Sequence, residues 1–541
     1  MVLPGQNLQP RPGSPEELAA FATIQDRLGP MYRRVFNDDS APRTVVVVPS
    51  LRLDPIELRK IRGVRHYEER MLCLLMLLRL PNTNVIYITS RPIHPSIIDY
   101  YIHLLPGVPG RHARNRLTLL DCDDGSPDPL TQKILDRPRL IRRISDAIPD
   151  HSSAHITCFN ATHMERSLAV QLGIPLYACD PELNHLGDKS HGRDLFGRVG
   201  IDYPAGAGHL RDEGDVVAAL AELRGRDPAL RRSVVKLNEG FSGEGNAMFD
   251  YTGAPSGSDL EPWIRRNIFE RLSFEAEGES WEPYMAKYRE MGGIVEEYLE
   301  GEKVSPSVQC RIDPTGGRQI VSSHDQVLGG RTGQVFLGCT FPAHPNYRGE
   351  IHDAAELVAS ELARVGVIGR FSVDFVSVRK PDGWKHYALE MNLRKGGTTL
   401  PYLMLRFLTG GAYDASTGIY TTPTGQARYY HASDNVEREQ YRGLTPDDLI
   451  DIVVQNELHF RSHRQQGVVF HLIGALSEFG KLGVVGIGHS PERATQLYRE
   501  TVEVLDRETG DHIAIDLRAL DDDRRARTTR PESVHTGSGS D

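Results

Sequence analysis

The strongest constraint on this chain is a short segment in which charged and amide side chains alternate. Glu390, Asn392 and Arg394 occupy every second position within 387–397. Alternate residues of a β-strand point to the same face, so one face of this predicted strand carries a carboxylate, an amide and a guanidinium. Carboxylate and amide oxygens suit Mg²⁺, and a guanidinium suits phosphate or carboxylate oxygens.

A second strand-like run, 371–378, lies shortly before this segment and carries Asp374. The residues between the two runs include Pro381 and Gly383, which are typical of a turn. If the strands pair as a hairpin, Asp374 lies beside Glu390. Two interpretations remain open on this spacing: a metal-binding face, or an ordinary hairpin with a surface salt bridge between Glu390 and Arg394.

The composition is that of a soluble globular protein. The chain has 541 residues, of which 39% are hydrophobic and 25% charged, and this length predicts about two to four domains. The formal net charge of −10 argues against a general nucleic-acid binder. Residues 1–13 show no signal-peptide pattern, and the most apolar run, 71–80, is too short to span a bilayer. We therefore expect a cytoplasmic protein that does not enter a membrane.

Cysteine and histidine spacing gives no sign of a disulfide framework or a transition-metal site. The six cysteines are widely spread without a C-x-x-C pair, so we expect reduced thiols. The spacing of His344, His352 and His471 is irregular, and we interpret them as ordinary histidines.

The fold class predicted for the first part of the chain is α/β. A valine-rich run at 44–48 is typical of a strand buried on both faces, and further strand-like runs alternate with helical stretches such as 68–80. This alternation predicts a doubly wound parallel domain over 43–180, with strands at 84–89, 116–120 and 155–159. An N-terminal extension, 1–42, precedes it, with a helix over about 14–28 that Ser14 caps.

The pattern changes after residue 180. Strands at 233–237, 247–251 and 294–299 and helices at 188–196, 261–272, 346–365 and 400–408 are predicted around the two polar strands. We divide this part into a domain over 181–415, with a subdomain at about 205–305, and a further α/β unit over 440–516. Residues 521–541 are expected to be disordered.

Two further segments suit a nucleotide. Lys236 precedes a glycine-rich loop whose backbone N–H groups could surround phosphate oxygens, although ordinary hairpin turns are also rich in glycine. The strand over 292–302 ends in free backbone groups that could pair with an adenine edge, and Glu302 could then bind ribose hydroxyls. Taken alone, this second segment is better interpreted as an acidic, solvated strand end.

In their order along the chain these segments resemble the ATP-grasp superfamily. The resemblance covers about 181–410, and the Glu390-x-Asn392-x-Arg394 strand is its most specific part. It implies an α+β ATP-grasp fold, preceded by the pre-ATP-grasp domain that such enzymes carry.

The resemblance also implies a role for each matched residue. Those that hold or cover the ATP phosphates are Lys189, Lys236, Ser242, Gly243 and Gly245. The adenine hinge, which acts mainly through backbone groups, and the ribose ligand after it comprise Glu296, Glu297, Leu299 and Glu302. The ligands of one or two Mg²⁺ ions, which Mn²⁺ could replace, are Asp374, Glu390 and Asn392. Arg394 would stabilise the transferred phosphoryl group, and Arg370 and Arg311 are further cations that could bind a substrate carboxylate.

A closer resemblance is to the peptide ligases of the pheganomycin type, because a long N-terminal domain and a glycine-rich C-terminal unit flank the core. It implies an ATP-dependent ligase that joins a small carboxylate acyl donor to an amino-acid or peptide amine through an acyl phosphate, in natural-product biosynthesis. A homodimer is the default expectation. A nucleotide-binding scaffold without chemistry, or another ATP-grasp phosphoryl-transfer enzyme, remains the alternative.

Overall fold

The computed structural model describes residues 10–36, 38–51, 62–240, 245–276, 278–329, 333 and 335–528, with side chains as far as residue 510. The described part of the chain contains no helix that is both long and apolar enough to cross a membrane. Three sheets carry the architecture, together with a small hairpin of two strands.

The N-terminal sheet has four parallel strands: β1 (Arg43–Val48), β2 (Thr83–Thr89), β3 (Leu117–Asp121) and β4 (Ala154–Cys158). They are arranged in the order β3-β2-β1-β4. All six residues of β1 are buried, as the valine-rich run predicts. The helices are Pro15–Gln25, Leu28–Val35, Pro95–His103, Gly110–Arg114, Leu130–Leu135, Pro138–Asp146 and His163–Leu172, with 3₁₀ segments at Val64–Arg79 and His151–Ser153.

Two predictions for this region are confirmed and one needs correction. Ser14 caps the first helix, because its hydroxyl accepts a hydrogen bond from the Glu17 N–H at 3.3 Å. The doubly wound arrangement is present. The helical stretch predicted at 68–80 is buried as expected, but it is of the 3₁₀ type and begins at Val64.

The second sheet has five antiparallel strands: β5 (Gly206–Leu210), β6 (Arg232–Leu237), β7 (Asn246–Asp250), β8 (Leu272–Phe274) and β9 (Gly293–Glu297). They are arranged in the order β5-β9-β6-β7-β8. The helices are Lys189–Val199, Glu213–Arg226, Leu260–Arg271 and Trp281–Met291, with 3₁₀ segments at Pro181–Gly187 and Gly257–Asp259. Strand β9 ends at Glu297, two residues earlier than predicted.

The third sheet has nine strands and is built from two distant parts of the chain. It comprises β10 (Lys303–Val304), β11 (Pro306–Ile312), β12 (Arg318–Gly329), β13 (Val335–Phe341), β14 (Gly369–Lys380), β15 (Gly383–Asn392), β18 (Tyr429–Glu437), β19 (Gly467–His471) and β20 (Lys481–Gly488). The hairpin between these parts is formed by β16 (Ala412–Asp414) and β17 (Ile419–Thr421). The helices are Arg348–Arg364, Thr399–Thr409, Pro446–Gln455, Gly474–Phe479 and Pro491–Thr528, with a 3₁₀ segment at Glu439–Tyr441.

The C-terminal unit is continuous with this third sheet, and its first strand is β18, which begins at Tyr429 and so lies before the predicted boundary at residue 440. Strand β18 pairs with β13 on one side and with β20 on the other, so backbone hydrogen bonds join the unit to the central strands. One contiguous core contains Val45 of the first sheet, Val308 and Val373 of the central strands, and Val485 of the C-terminal unit. The last helix runs through Thr528, so 521–528, part of the tail predicted to be disordered, lies in a helix. Residues 529–541 lie outside the described residues.

A truncation tests this continuity. A chain that ends at residue 422 lacks β18, β19 and β20 and exposes both an edge of β13 and apolar core. We expect it to be insoluble or to lack a cooperative melting transition. A control chain that ends at residue 510 keeps the buried Leu497 and Leu505 and should melt like the full chain. Equal melting curves for the 422-residue chain and the full chain would contradict the shared core.

Candidate active site

A cleft with a volume of about 480 Å³ lies between the second and third sheets. One wall contains Lys236 of β6 and the end of β9, and the other contains Asp374 of β14 and Glu390 of β15. Lys189, at the start of the helix Lys189–Val199, also lines it. The folding of the chain therefore brings most of the residues predicted for the site to one space.

The two polar strands form the predicted hairpin, and this pairing is confirmed. Asp374 lies directly opposite Glu390 in the β14–β15 register. Asn392 Nδ2 donates to Asp374 Oδ2 at 3.2 Å and to Glu390 Oε1 at 3.4 Å. Strand β15 ends at Asn392, so Arg394 lies just beyond the strand, where it still lines the cleft. Lys189 Nζ lies 3.2 Å from Glu390 Oε2. Glu390 therefore pairs with Lys189, and not with Arg394 as the alternative interpretation of a surface salt bridge predicted.

The electrostatics of the carboxylate pair favour a bound cation. Burial, together with the adjacent Glu390 carboxylate, raises the pKa of Asp374. Burial alone would raise the pKa of Glu390 too, but the charges of Lys189 and Lys236 outweigh it and lower that pKa. Two carboxylates this close repel each other when both are ionised, and a divalent cation relieves that repulsion.

The donor set fits Mg²⁺, because it offers two carboxylates and an amide oxygen, all of them hard ligands. In the part of the chain that the structure describes, no group of three or more His, Cys, Asp or Glu side chains is suited to hold a metal ion. The candidate set is therefore recognisable only when Asn392 is counted with Asp374 and Glu390.

The end of the cleft beside the glycine-rich loop is only partly described. Gly240 and Gly245 line the cleft at the two ends of the glycine-rich loop. A Cβ atom added to Gly240 would lie 3.8 Å from Lys189 Nζ, so the loop begins beside this lysine. Ser242 and Gly243 lie outside the described residues, and their role stays a prediction.

A buried ion network orients Lys236. Its ammonium pairs with Glu296, whose other carboxylate oxygen lies 3.2 Å from Arg193 Nη1. The Glu296 side chain is only 2% exposed. This carboxylate therefore holds a lysine and an arginine in place, a role that the expectation of a backbone hinge did not include.

Glu297, the last residue of β9, lines the cleft together with Tyr298 and Leu299, which follow it. The resemblance predicts that this segment is the adenine hinge. The Glu297 carboxylate accepts a hydrogen bond from the Ala205 N–H at 2.9 Å, which fixes the end of β9. Glu302 is exposed, and it is not among the residues described as lining the cleft. Its assignment as the ribose ligand stays a prediction.

The structure does not bring Arg311 and Arg370 to the cleft. They face each other across β11 and β14, four register positions from the pair Ser307–Asp374. At about 3.3 Å per residue this is roughly 13 Å along the strand, too far to act on the same reacting atom. Burial lowers the pKa of Arg370 to about 10, and Arg311 donates to Gln319 at 2.9 Å.

Sequence reasoning missed a group of charged residues that also line the cleft. Arg70 comes from the N-terminal domain, and Asp434, Glu437 and Lys481 come from the C-terminal unit. A signal was present for Arg70, because it directly precedes the apolar run 71–80, and a charge buried there requires a partner.

Comparison with solved structures identifies the class of fold. The biotin carboxylase domain of 2-oxoglutarate carboxylase from Hydrogenobacter thermophilus, crystallised with MgADP and bicarbonate, matches with a TM-score of 0.52 and 14% identity over 85% of this chain and 89% of that one. Biotin carboxylase from Campylobacter jejuni matches with a TM-score of 0.50 and 13% identity over 84% and 89%. These are ATP-grasp enzymes, and the fold of this chain is the ATP-grasp fold.

Sequence comparisons identify the family. A family model described as "IQCH-like, ATP-grasp" matches 265–416, and one described as "PGM1 C-terminal domain" matches 448–501. L-propargylglycine–L-glutamate ligase of Streptantibioticus cattleyicolor is 31% identical over 463 residues, which cover 83% of this chain and 91% of that protein. IQ motif-containing protein H of Danio rerio is 22% identical over 438 residues, 72% of this chain but 41% of that protein.

The chain belongs to the ATP-grasp superfamily, among the carboxylate–amine ligases of the pheganomycin type. It is an ATP-dependent ligase. The family, fold class and ligase activity predicted from the sequence are thereby confirmed.

The buried network at Glu296 yields a stability prediction. Glu296→Gln removes a carboxylate that two buried cations share, so we expect the free energy of unfolding to fall by about 3 kcal/mol. Glu300→Gln breaks only an exposed pair with Arg232 and should cost less than about 1 kcal/mol. Urea denaturation of both variants measures the difference, and equal losses would show that the Glu296 network does not stabilise the fold.

Proposed function

We propose that this ligase activates the carboxylate of a small acyl donor as an acyl phosphate and transfers the acyl group to the amine of an amino acid or peptide, with ATP and Mg²⁺. The observation that carries the proposal is the placement of Asp374 and Glu390 in one cleft with Lys189 and Arg394. Cations and paired carboxylates at one point are what phosphoryl transfer requires.

In this proposal the nucleotide lies along the wall formed by the second sheet. Glu297, Tyr298 and Leu299 contact the adenine, mainly through backbone groups. Lys189 and Lys236 neutralise the phosphates, and the loop that contains Ser242, Gly243 and Gly245 closes over them. The ion pair with Glu296 supports the proposal, since it keeps the Lys236 ammonium at the cleft wall.

Asp374, Glu390 and Asn392 would hold one or two Mg²⁺ ions, and Mn²⁺ is expected to substitute because it prefers the same oxygen donors. A metal bound there would neutralise charge on the transferred phosphoryl group. Arg394 would bind the same phosphoryl group and orient the carboxylate of the acyl donor that receives it. The carboxylate oxygen attacks the γ-phosphorus of ATP as the bond to ADP breaks. The amine then attacks the acyl carbon, the C–N bond forms as the C–O bond to phosphate breaks, and the proton lost by the amine passes to water.

The substrates are inferred from chemistry and from the relative. The enzyme of Streptantibioticus cattleyicolor is named for L-propargylglycine and L-glutamate. We propose that this chain likewise joins two amino-acid-like substrates in natural-product biosynthesis. Phosphate release from ATP over a panel of amino acids and short peptides, beginning with these two, tests this. Substrate-dependent phosphate together with a new amide mass is expected, and tight ATP binding without turnover over the whole panel would overturn it.

We further propose a cytoplasmic homodimer. All six cysteines are free and buried, which agrees with a reducing compartment. Twofold symmetric dimers are the commonest assemblies of soluble enzymes. Light scattering coupled to size-exclusion chromatography gives the mass in solution, and a mass of 60.4 kDa, that of one chain, would contradict the dimer.

Substitution of the metal ligands tests the site itself. Glu390→Ala and Asp374→Asn should each lower turnover by at least about 100-fold, because the phosphoryl group loses its metal-based charge stabilisation. The matched control is Glu356→Gln, which should keep wild-type turnover. Glu356 lies on the helix Arg348–Arg364, and its side chain, 43% exposed, pairs with Arg318 of β12. Turnover and Mg²⁺ titration are the measurements, and wild-type turnover by Glu390→Ala would show the metal assignment to be wrong.

A further inference from the structure

The cleft continues past Arg394 to a group of charged side chains that the proposed nucleotide site does not use. Phe159, which follows β4, lies close to both regions. Its ring centroid is 6.0 Å from the Arg394 guanidinium carbon and 5.8 Å from that of Arg70. The charged group is therefore next to the reacting end of the cleft.

The charges in this group are paired and largely buried. Arg70 Nη2 donates to Asp434 Oδ2 at 2.6 Å, with the two side chains only 10% and 13% exposed. Lys481 is buried, and its ammonium lies 4.0 Å from Glu437 Oε2. The ring of Tyr67 lies close to both cations, with its centroid 3.8 Å from the Arg70 guanidinium carbon and 5.5 Å from the Lys481 ammonium.

Stability alone gives little reason for this arrangement. A buried ion pair must offset the cost of removing two charges from water, and apolar residues of similar volume often stabilise a fold as well or better. Buried charges that line a cavity more often serve a ligand. The bond to Asp434 uses one of the five N–H donors of the Arg70 guanidinium, whose fork shape suits a second carboxylate.

Resting on the proposed function, we propose that this end of the cleft binds the charged groups of a free α-amino acid substrate. Arg70 and Lys481 bind its α-carboxylate, and Asp434 and Glu437 bind its ammonium group. Both signs of charge face one space, which matches a zwitterion better than an anion or a cation alone. Arg394, and not Arg70, is the cation proposed at the transferred phosphoryl group, so the carboxylate held at Arg70 is not the one that is phosphorylated, and it is retained in the product.

The test separates amino-acid recognition from ATP binding. Steady-state kinetics compare wild type with three variants: Arg70→Lys, Asp434→Asn and Lys481→Met. The substrates are each amino acid that supports phosphate release, beginning with L-glutamate, and the α-amide of that amino acid. We expect the KM for the free amino acid to rise at least about tenfold, because one charge-assisted hydrogen bond is lost. The preference for the free amino acid over the α-amide should fall in Arg70→Lys and Lys481→Met, while the Kd for ATP changes less than about twofold.

A matched control lies on the same helical segment. Arg65 pairs with Glu478 of the C-terminal unit, but the two side chains are 47% and 44% exposed and lie outside the cleft. Arg65→Met should keep both the wild-type KM and the wild-type preference. Thermal melting of every variant identifies loss of fold, and Lys481→Met, whose partner is 4.0 Å away, carries the test if Arg70→Lys is unstable.

The outcomes distinguish this inference from the function on which it rests. If wild-type protein forms no amide with any member of the panel, the proposed function fails. If wild type forms the amide and folded variants keep both its KM and its preference for the free α-carboxylate, the amino-acid site is overturned while the ligase function stands.

Discussion

The pairing of two carboxylates across one strand pair is the constraint on which the cleft depends. Asp374 and Glu390 face each other in the β14–β15 register, and cations must lie near them for both to be ionised. Lys189, on a helix that packs beside the second sheet, provides one such cation, because its Nζ lies 3.2 Å from Glu390 Oε2. Lys236 contributes from β6 and is itself held by Glu296. Complementary charge thus joins the two walls of the cleft.

The C-terminal unit extends this arrangement rather than standing beside it. Strand β18 enters the third sheet between β13 and β20, and so carries Asp434 to the cleft wall. Asp434 there meets Arg70 of the N-terminal domain. Two parts of the chain that are far apart in sequence therefore build one end of the cleft, and their shared apolar core holds them in place.

Local patterns predicted much of the fold. Short sequence patterns were enough to predict three features: the valine-rich strand β1, the Ser14 cap and the β14–β15 hairpin. Strands β11, β12 and β13 were not predicted, although they form the middle of the largest sheet. The reason is visible in β12, where Ser322, Ser323 and His324 are buried and break the alternation of apolar and polar residues on which strand prediction relies.

By itself the sequence determined the local elements, the oxygen ligands on one strand face and the order of segments that marks an ATP-grasp ligase. These features depend on residues that are close in the chain. Regular backbone geometry fixes which of those residues share a face, so the features can be predicted from sequence spacing. Only the tertiary structure decided that Lys189 meets Glu390, that Glu296 holds Lys236, that Arg370 lies away from the cleft and that Arg70 meets Asp434. Such pairings depend on how distant segments pack around a common core, and no spacing along the chain encodes them.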